Sequence, residues 1–185
     1  MLDVHILTLP DTRADWQQQC IASVELAASL SDVPVHVHVV PGVRGHLGRA
    51  RAAGYAAGSA PWKCYADDDD YVLPEAFERL APYLSHDVAA VFPRERIEQN
   101  GRFHSFTHGR HHLWPVRAEL ALAFDHEAWP SMPDEMLRRA AAADPRGVLD
   151  VDDVVYVHRV YVEQRCRALR RANRDEVIRT MEAAA

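Results

Sequence analysis

The chain opens on "DVHILTL", an alternating, β-branched run that reads as a strand and is broken by Pro10. In "DTRADWQQQCIASVELAASL" the apolar positions Ile21, Val24 and Ala28 return near helical spacing. Thr12 and Asp15 have capping-box spacing, so a helix with one buried stripe is expected there. "VPVHVHVV" alternates again and forms a second strand, ended by "PGVRG". Its His36 and His38 share a face, which reads as the strand's polar side rather than a metal pair. From Leu47 to Ser59 the residues are small and helical. Glycines at 48, 54 and 58 lower helix propensity and imply tight contact of this helix with the sheet. "PWKCYA" is a short strand that runs into four aspartates, "LPEAFERLAPYL" is a helix with Pro74 in its first turn, and "DVAAVFP" is the next strand.

The first ninety residues thus alternate strand and helix, which predicts an α/β fold: a mostly parallel central sheet flanked by helices. The aspartates fall at the carboxyl end of a strand, where open α/β sheets bind ligands. After Pro93 the stretch "RERIEQNGRFHSFTHGRHHLWPVRAEL" is polar and histidine-rich and predicts loops and short strands, with a hairpin turn at Asn100 and Gly101. A helix "PDEMLRRAAAA", a strand "VLDVDDVVYVHRVYV" and an arginine-rich terminal helix complete the order. No repeat or low-complexity linker interrupts it. The expected organisation is one domain over residues 1–162 and a basic C-terminal helix over 163–185, packed on it or extending from it.

Composition adds bounds. Apolar residues make up 48% and charged residues 26% of the 185-residue chain, the balance of an ordinary globular protein. No apolar stretch approaches the roughly 20 residues of a membrane span, and "MLDVHILTLP" lacks a signal peptide's basic flank, so a cytoplasmic protein without membrane contact is expected. Cys20, Cys64 and Cys166 show neither disulfide nor zinc spacing and read as reduced packing residues. A net charge of −6 argues against nonspecific nucleic-acid binding by the whole surface. The tail, with Arg165, Arg167, Arg170, Arg171 and Arg174, is the exception and could touch phosphates.

Four adjacent carboxylates, Asp67 to Asp70, repel one another unless a cation sits among them. If the strand ends at Asp67, alternation puts Asp67 and Asp69 on one side, about 6 to 7 Å apart, and turns Asp68 to the other side as a solvated group. Such a pair suits Mg²⁺ or Mn²⁺, which take oxygen ligands and complete their shell with water and substrate phosphates. A calcium loop would spread its ligands over about a dozen residues with a glycine turn, which is absent here.

The stretch from Leu47 to Leu80 resembles the nucleotide-sugar-dependent glycosyltransferases of the GT-A fold, especially family 2. The carrying residues are "ARAAG" at 50 to 54 and "DDDDY" at 67 to 71, with Asp67 following Arg51 by 16 residues. The resemblance implies a GT-A (Rossmann-like) sheet and gives Asp67 and Asp69 the DxD role on donor and metal. It extends more weakly to "MPDEMLRRA", with Asp134 and Glu135, and to "VVYVHRVYV", with His158 and Arg159, so covering about residues 3 to 162. The family's "ARN" asparagine is Ala52 here, and "HVHVVPGV" lacks the aspartate that commonly reads a uracil base.

The resemblance implies a metal-dependent, inverting transfer of a hexose or pentose from a nucleoside-diphosphate sugar, a UDP-sugar foremost, to a hydroxyl. The implied metal, Mn²⁺ or Mg²⁺, is assigned to Asp69, Asp67 and His158, the donor to Thr8, Asp11, Arg13, Arg51 and Asp67, and the base to Glu135 or Asp134. Thr8, Asp11 and Arg13 compete with a helix-capping role for their segment. His104, His108, His111, His112 and Trp114 read as an acceptor-facing loop rather than a zinc site. Small stand-alone transferases of this look occur in bacteriophages that glycosylate hydroxymethylated DNA bases. That makes DNA, met through the arginine tail in a host cytoplasm, a candidate acceptor for a monomer or homodimer. The alternative is a non-catalytic nucleotide- or sugar-binding module of transferase fold, which Ala52 and the missing aspartate favour. A nucleotidyltransferase would carry a glycine-rich basic loop after its first strand, and "LTLPDTRADW" has none.

Overall fold

The computed structural model describes residues 1–108 and 112–160. The basic helix expected over 163–185 lies outside the described residues, as does His111. Strand β1 (Leu2–Thr8) sits between β2 (Val35–Pro41) and β3 (Trp62–Asp67), all parallel. Beyond β3 the order continues through β7 (Val116–Arg117), β5 (Ala90–Gln99) and β8 (Val148–Val160) to β4 (Tyr71–Val72), with β6 (Arg102–His108) paired to β5. The sheet is therefore mixed: β5 and β8 run parallel, while β7, β4 and β6 pair antiparallel to their neighbours.

Alternation along β1 and β3 divides the core into two layers. Leu2, Val4 and Ile6 with Trp62, Cys64 and Ala66 face α1 (Ala14–Leu30) and α3 (Ala76–Leu80), meeting Cys20, Val24, Phe77 and Leu80. Asp3, His5, Lys63 and Tyr65 alternate with that buried set, and Tyr65 joins the other layer, with Tyr55 of α2 (Leu47–Ala56), Ala121 of α4 (Ala118–Ala123) and Leu137 of α5 (Pro133–Ala143). The strand's polar positions thus belong to a second, partly ionic interior rather than to solvent.

Several expectations change in detail. Helix α1 begins after Arg13 with no side-chain cap, because the Thr12 hydroxyl is taken by Asp68 and the Asp15 carboxylate by Arg13. Pro93 does not end its strand: β5 runs on to Gln99, then turns at Asn100 (φ 51°) and Gly101 (φ 74°) into β6, so the expected hairpin turn joins two longer strands. The glycines of α2 admit close neighbours of different kinds. A Cβ at Gly54 would lie 2.3 Å from the His5 ring of β1, and one at Gly48 2.1 Å from the His126 carbonyl in the turn before α5. His36 and His38 both turn to Asp3, at 3.2 and 3.1 Å, as the polar side of their strand. Trp114, expected on an acceptor loop, is fully buried against Phe92. Cys20 and Cys64 are free, buried thiols, and no helix among the described residues is long and apolar enough to cross a membrane.

Candidate functional site

The four aspartates occupy the turn between β3 and β4, and each has a different environment. Asp67 closes β3. One oxygen receives Arg51 Nη2 at 2.8 Å and the other contacts His112 Nε2 at 3.0 Å. Burial opposes its charge, but Arg51 and His112 overcome this and hold its carboxyl far below the usual range. Asp68 accepts from Leu9 N at 2.7 Å, Thr12 Oγ1 at 2.9 Å and Gln17 Nε2 at 2.8 Å. It is only 4% exposed, so the expectation of a solvated Asp68 is corrected: past Asp67 the strand becomes a turn, strict alternation stops, and the side chain points inward to anchor the β1–α1 loop. Asp70 is fully buried and accepts from Tyr156 Oη at 3.0 Å, the Arg159 amide at 2.7 Å and His158 Nδ1 at 2.9 Å.

Asp69 differs from all three. It is half-buried and its carboxylate has no hydrogen bond or ion pair among the described residues. Burial, then the charges of Asp70, Asp67 and Asp68, push its pKa up to about 7. An oxygen donor held at this electrostatic cost fits a divalent cation, which would neutralise the cluster. Asp70, His112 and His158 bring ligand atoms within 4.8 Å of one another, a group that does not include Asp69. His112 has a competing role: despite burial, its bonds to Asp67 and Glu95 raise its pKa well above the usual value and so favour its protonated form. Asp69 and His158 are therefore the better-suited metal donors. Asp67 keeps unused lone pairs although both of its oxygens are engaged.

Arg51 is a buried strut, 1% exposed, rather than a donor contact at the surface. It reaches Asp67 with Nη2 and Asp134 with Nε at 2.8 Å and Nη2 at 3.2 Å, and its guanidinium lies 3.3 Å over the Tyr65 ring. One arginine thus joins partners 16 and 83 residues further along the chain. Asp134 and Glu135 both head α5, yet Glu135 is forked by Arg138 and Arg139 at 2.9 Å. Although burial opposes it, these two arginines lower the Glu135 pKa.

Two clefts meet over this turn. One, of about 410 Å³, lies between the loops after β1 and β2 and is lined by Asp11, Arg44, His46 and Asp67 to Asp69. The other, of about 540 Å³, is lined by Tyr65, His112, Asp134, Glu135, Arg139 and His158. Asp67, Leu47 and Ser131 line both. Asp11 stands on the first cleft's rim, 3.2 Å from Arg44. Arg13 pairs with Asp15 and Thr8 donates to the Val40 carbonyl at 3.5 Å, and neither lines that cleft. Arg44, the Glu95–His112 pair and the anchoring role of Asp68 were missed in the sequence. The "PGVRG" turn and the histidine-rich run held Arg44 and His112, but no local spacing connects them to the aspartates.

The geometry has counterparts. The description "Glycosyl transferase family 2" matches residues 22–144, more than half of the chain. Among solved structures, S. aureus TarS superposes with a TM-score of 0.62 at 14% identity, over 85% of this chain and 60% of that one. Its complex with UDP-GlcNAc gives a TM-score of 0.66 at 13% identity, over 88% and 59%. A glycosyltransferase involved in glycosylation of the major capsid of PBCV-1 gives 0.51 at 14% identity, over 85% of this chain and 92% of that one. The chain thus spans about 60% of the length of the TarS chain it matches. No curated protein matches it. At these identities the structural likenesses establish a GT-A type fold, and with the family match they show that the chain belongs to glycosyl transferase family 2.

Proposed function

We propose that the protein transfers a sugar from a nucleoside-diphosphate sugar, a UDP-sugar first among them, to a hydroxyl acceptor, with inversion. The observation that carries this is the pair of clefts sharing Asp67: one open to the β1 and β2 loops, the other to the carboxylates of α5. A donor in the first cleft would place its diphosphate over Asp67 to Asp69. TarS, a neighbour in fold, is known in complex with UDP and with UDP-GlcNAc.

Asp69, with His158 and Asp67, would hold Mn²⁺ or Mg²⁺, and that ion supplies charge neutralisation for a departing diphosphate. The chain's own residues do the rest. Asp68 fixes the loop that carries Asp11, while Arg44 and Asp11 stand where the base end of a donor enters. Asp134 takes the acceptor proton: it lines the second cleft and is tied through Arg51 to Asp67, whereas Glu135 is committed to Arg138 and Arg139. The bidentate bond to Arg51 leaves Asp134 lone pairs free for an acceptor hydroxyl.

The test is nucleoside diphosphate release from a panel of nucleotide sugars with Mn²⁺, with and without hydroxyl acceptors that include hydroxymethylated DNA. Asp134→Asn should cut turnover by about 10²- to 10⁴-fold while leaving donor binding intact. Wild-type turnover in the Asn variant would remove Asp134 from the role. One observation favours a second reading, a nucleotide-binding module without chemistry: both carboxylates heading α5 are paired with arginine. Metal-dependent UDP binding with no release from any donor would select that reading.

A further inference from the structure

Around Arg51 the inner layer holds a group of polar atoms that no described residue satisfies: Arg51 Nη1, Tyr55 Oη, Tyr65 Oη, His5 Nε2 and His126 Nδ1. The first four belong to side chains no more than 1% exposed. The residues adjoin one another. His5 lies 4.5 Å from the Tyr55 ring and 5.7 Å from Tyr65, Tyr55 stacks on His126 at 4.8 Å, and Arg51 covers Tyr65. Arg51 and Tyr55 are one turn apart on α2. Gly54 and Gly48, the two positions where a Cβ would strike His5 and the His126 carbonyl, are what let both histidine segments approach this helix. The sequence therefore gives up helix propensity to assemble a buried polar cluster.

Unmet buried donors and acceptors are rare, and ordered water is the usual partner where protein groups leave them over. We propose that His5, Tyr55, Tyr65 and Nη1 of Arg51 enclose a buried water site, and that this water holds Arg51 in place between Asp67 and Asp134. Nη1 donates to the water, each tyrosine hydroxyl both donates and accepts, and a neutral imidazole offers one acceptor nitrogen, so the set supplies the two to four partners that a buried water takes. Burial and the neighbouring Arg51 charge lower the His5 pKa, consistent with a neutral ring. Tyr55 and His5 are then positioning residues: they touch no substrate and act through Arg51 on the carboxylates at the junction of the clefts. Their effect on turnover rests on the reaction proposed above; the water site itself does not.

The experiment joins high-resolution crystallography of the whole chain with kinetics of Tyr55→Phe. In the wild type, an ordered water is expected within hydrogen-bond distance of Arg51 Nη1 and of at least two of Tyr55 Oη, Tyr65 Oη and His5 Nε2. Tyr55→Phe keeps the ring and loses the hydroxyl. It should lose or displace this water and lower kcat for donor turnover about tenfold at unchanged donor KM, with the pH profile of kcat shifted, the size of one lost hydrogen bond. No ordered water at these atoms in the wild type, or a Tyr55→Phe enzyme with wild-type kcat and pH profile, overturns the proposal. If Tyr55→Phe does not fold, the wild-type density decides alone. A wild-type chain that shows the water but turns over no donor supports the site and refutes the reaction.

Discussion

Strands β1 and β3 carry buried charge at both ends, handled in opposite ways. At their amino ends Asp3 receives Lys63 Nζ at 2.6 Å, the Ala60 amide at 2.7 Å, and His36 and His38, while the lysine also reaches the Ala57 carbonyl. Although burial opposes the charge, those partners lower the Asp3 pKa to about 2. At the carboxyl ends Arg51 and His112 serve Asp67, His158 serves Asp70 and neutral donors hold Asp68, while Asp69 has no partner among the described residues and its pKa is raised to about 7. The first cluster is complete in itself. The second leaves one carboxylate uncompensated among the described residues, the pattern of a binding site, where local stability is given up for function.

Breaking the complete cluster should cost the most. Lys63→Met leaves the Asp3 carboxylate buried without its lysine and should lower stability by about 3–5 kcal/mol in urea unfolding. An unfolding midpoint near wild type would show that the two histidines suffice. The next effect belongs to Asp68, whose three hydrogen bonds hold the β1–α1 loop. Asp68→Asn should cost about 1–3 kcal/mol and raise the KM for donor, since the loop forms a wall of the first cleft. Unchanged KM would separate this loop from donor binding. Asp69→Asn should cost least, leaving stability at pH 7 unchanged or improved.

The pH dependence sharpens the same contrast, because the two groups have opposite signs. Asp3, with a folded value near 2 against 3.8 for the free group, contributes stability that is present above 3.8 and is lost as pH falls toward 2. Asp69, raised from 3.8 to about 7, favours the fold in its neutral form, so its contribution is complete below 3.8 and lost as pH rises through 7. Between pH 4 and 7 the metal-free protein should therefore lose stability with rising pH, and Mn²⁺ or the Asp69→Asn change should flatten that slope. A slope indifferent to both would remove Asp69 from the metal.

Much of this was legible in the sequence where the signal is local. Alternation in "DVHILTL" and "VPVHVHVV", the helix expected over "PDEMLRRAAAA" and the turn at Asn100-Gly101 each correspond to an element. The motif pairing Arg51 with Asp67 proved to be a direct contact. What was not legible depends on distant partners. Pro93 reads as a strand terminator, yet β5 continues through it because β6 and β8 supply the pairing on either side. The fate of Asp68 turns on a loop more than fifty residues away, and His112 reaches Asp67 from 45 residues on, so neither is encoded in local spacing. That His5 and the polar face of β1 form an interior was not read from the sequence, because it depends on α2 covering them.

The proposed function turns on Asp69, unpartnered among the described residues, holding a metal for a nucleotide donor. Calorimetric titration of UDP into the wild-type chain and into Asp69→Asn, each with and without Mn²⁺, tests it most directly. The account predicts UDP binding that requires Mn²⁺ in the wild type and is weakened at least about tenfold in Asp69→Asn, a loss of about 1.4 kcal/mol or more. UDP binding of equal strength in all four titrations, or none in any, would contradict it.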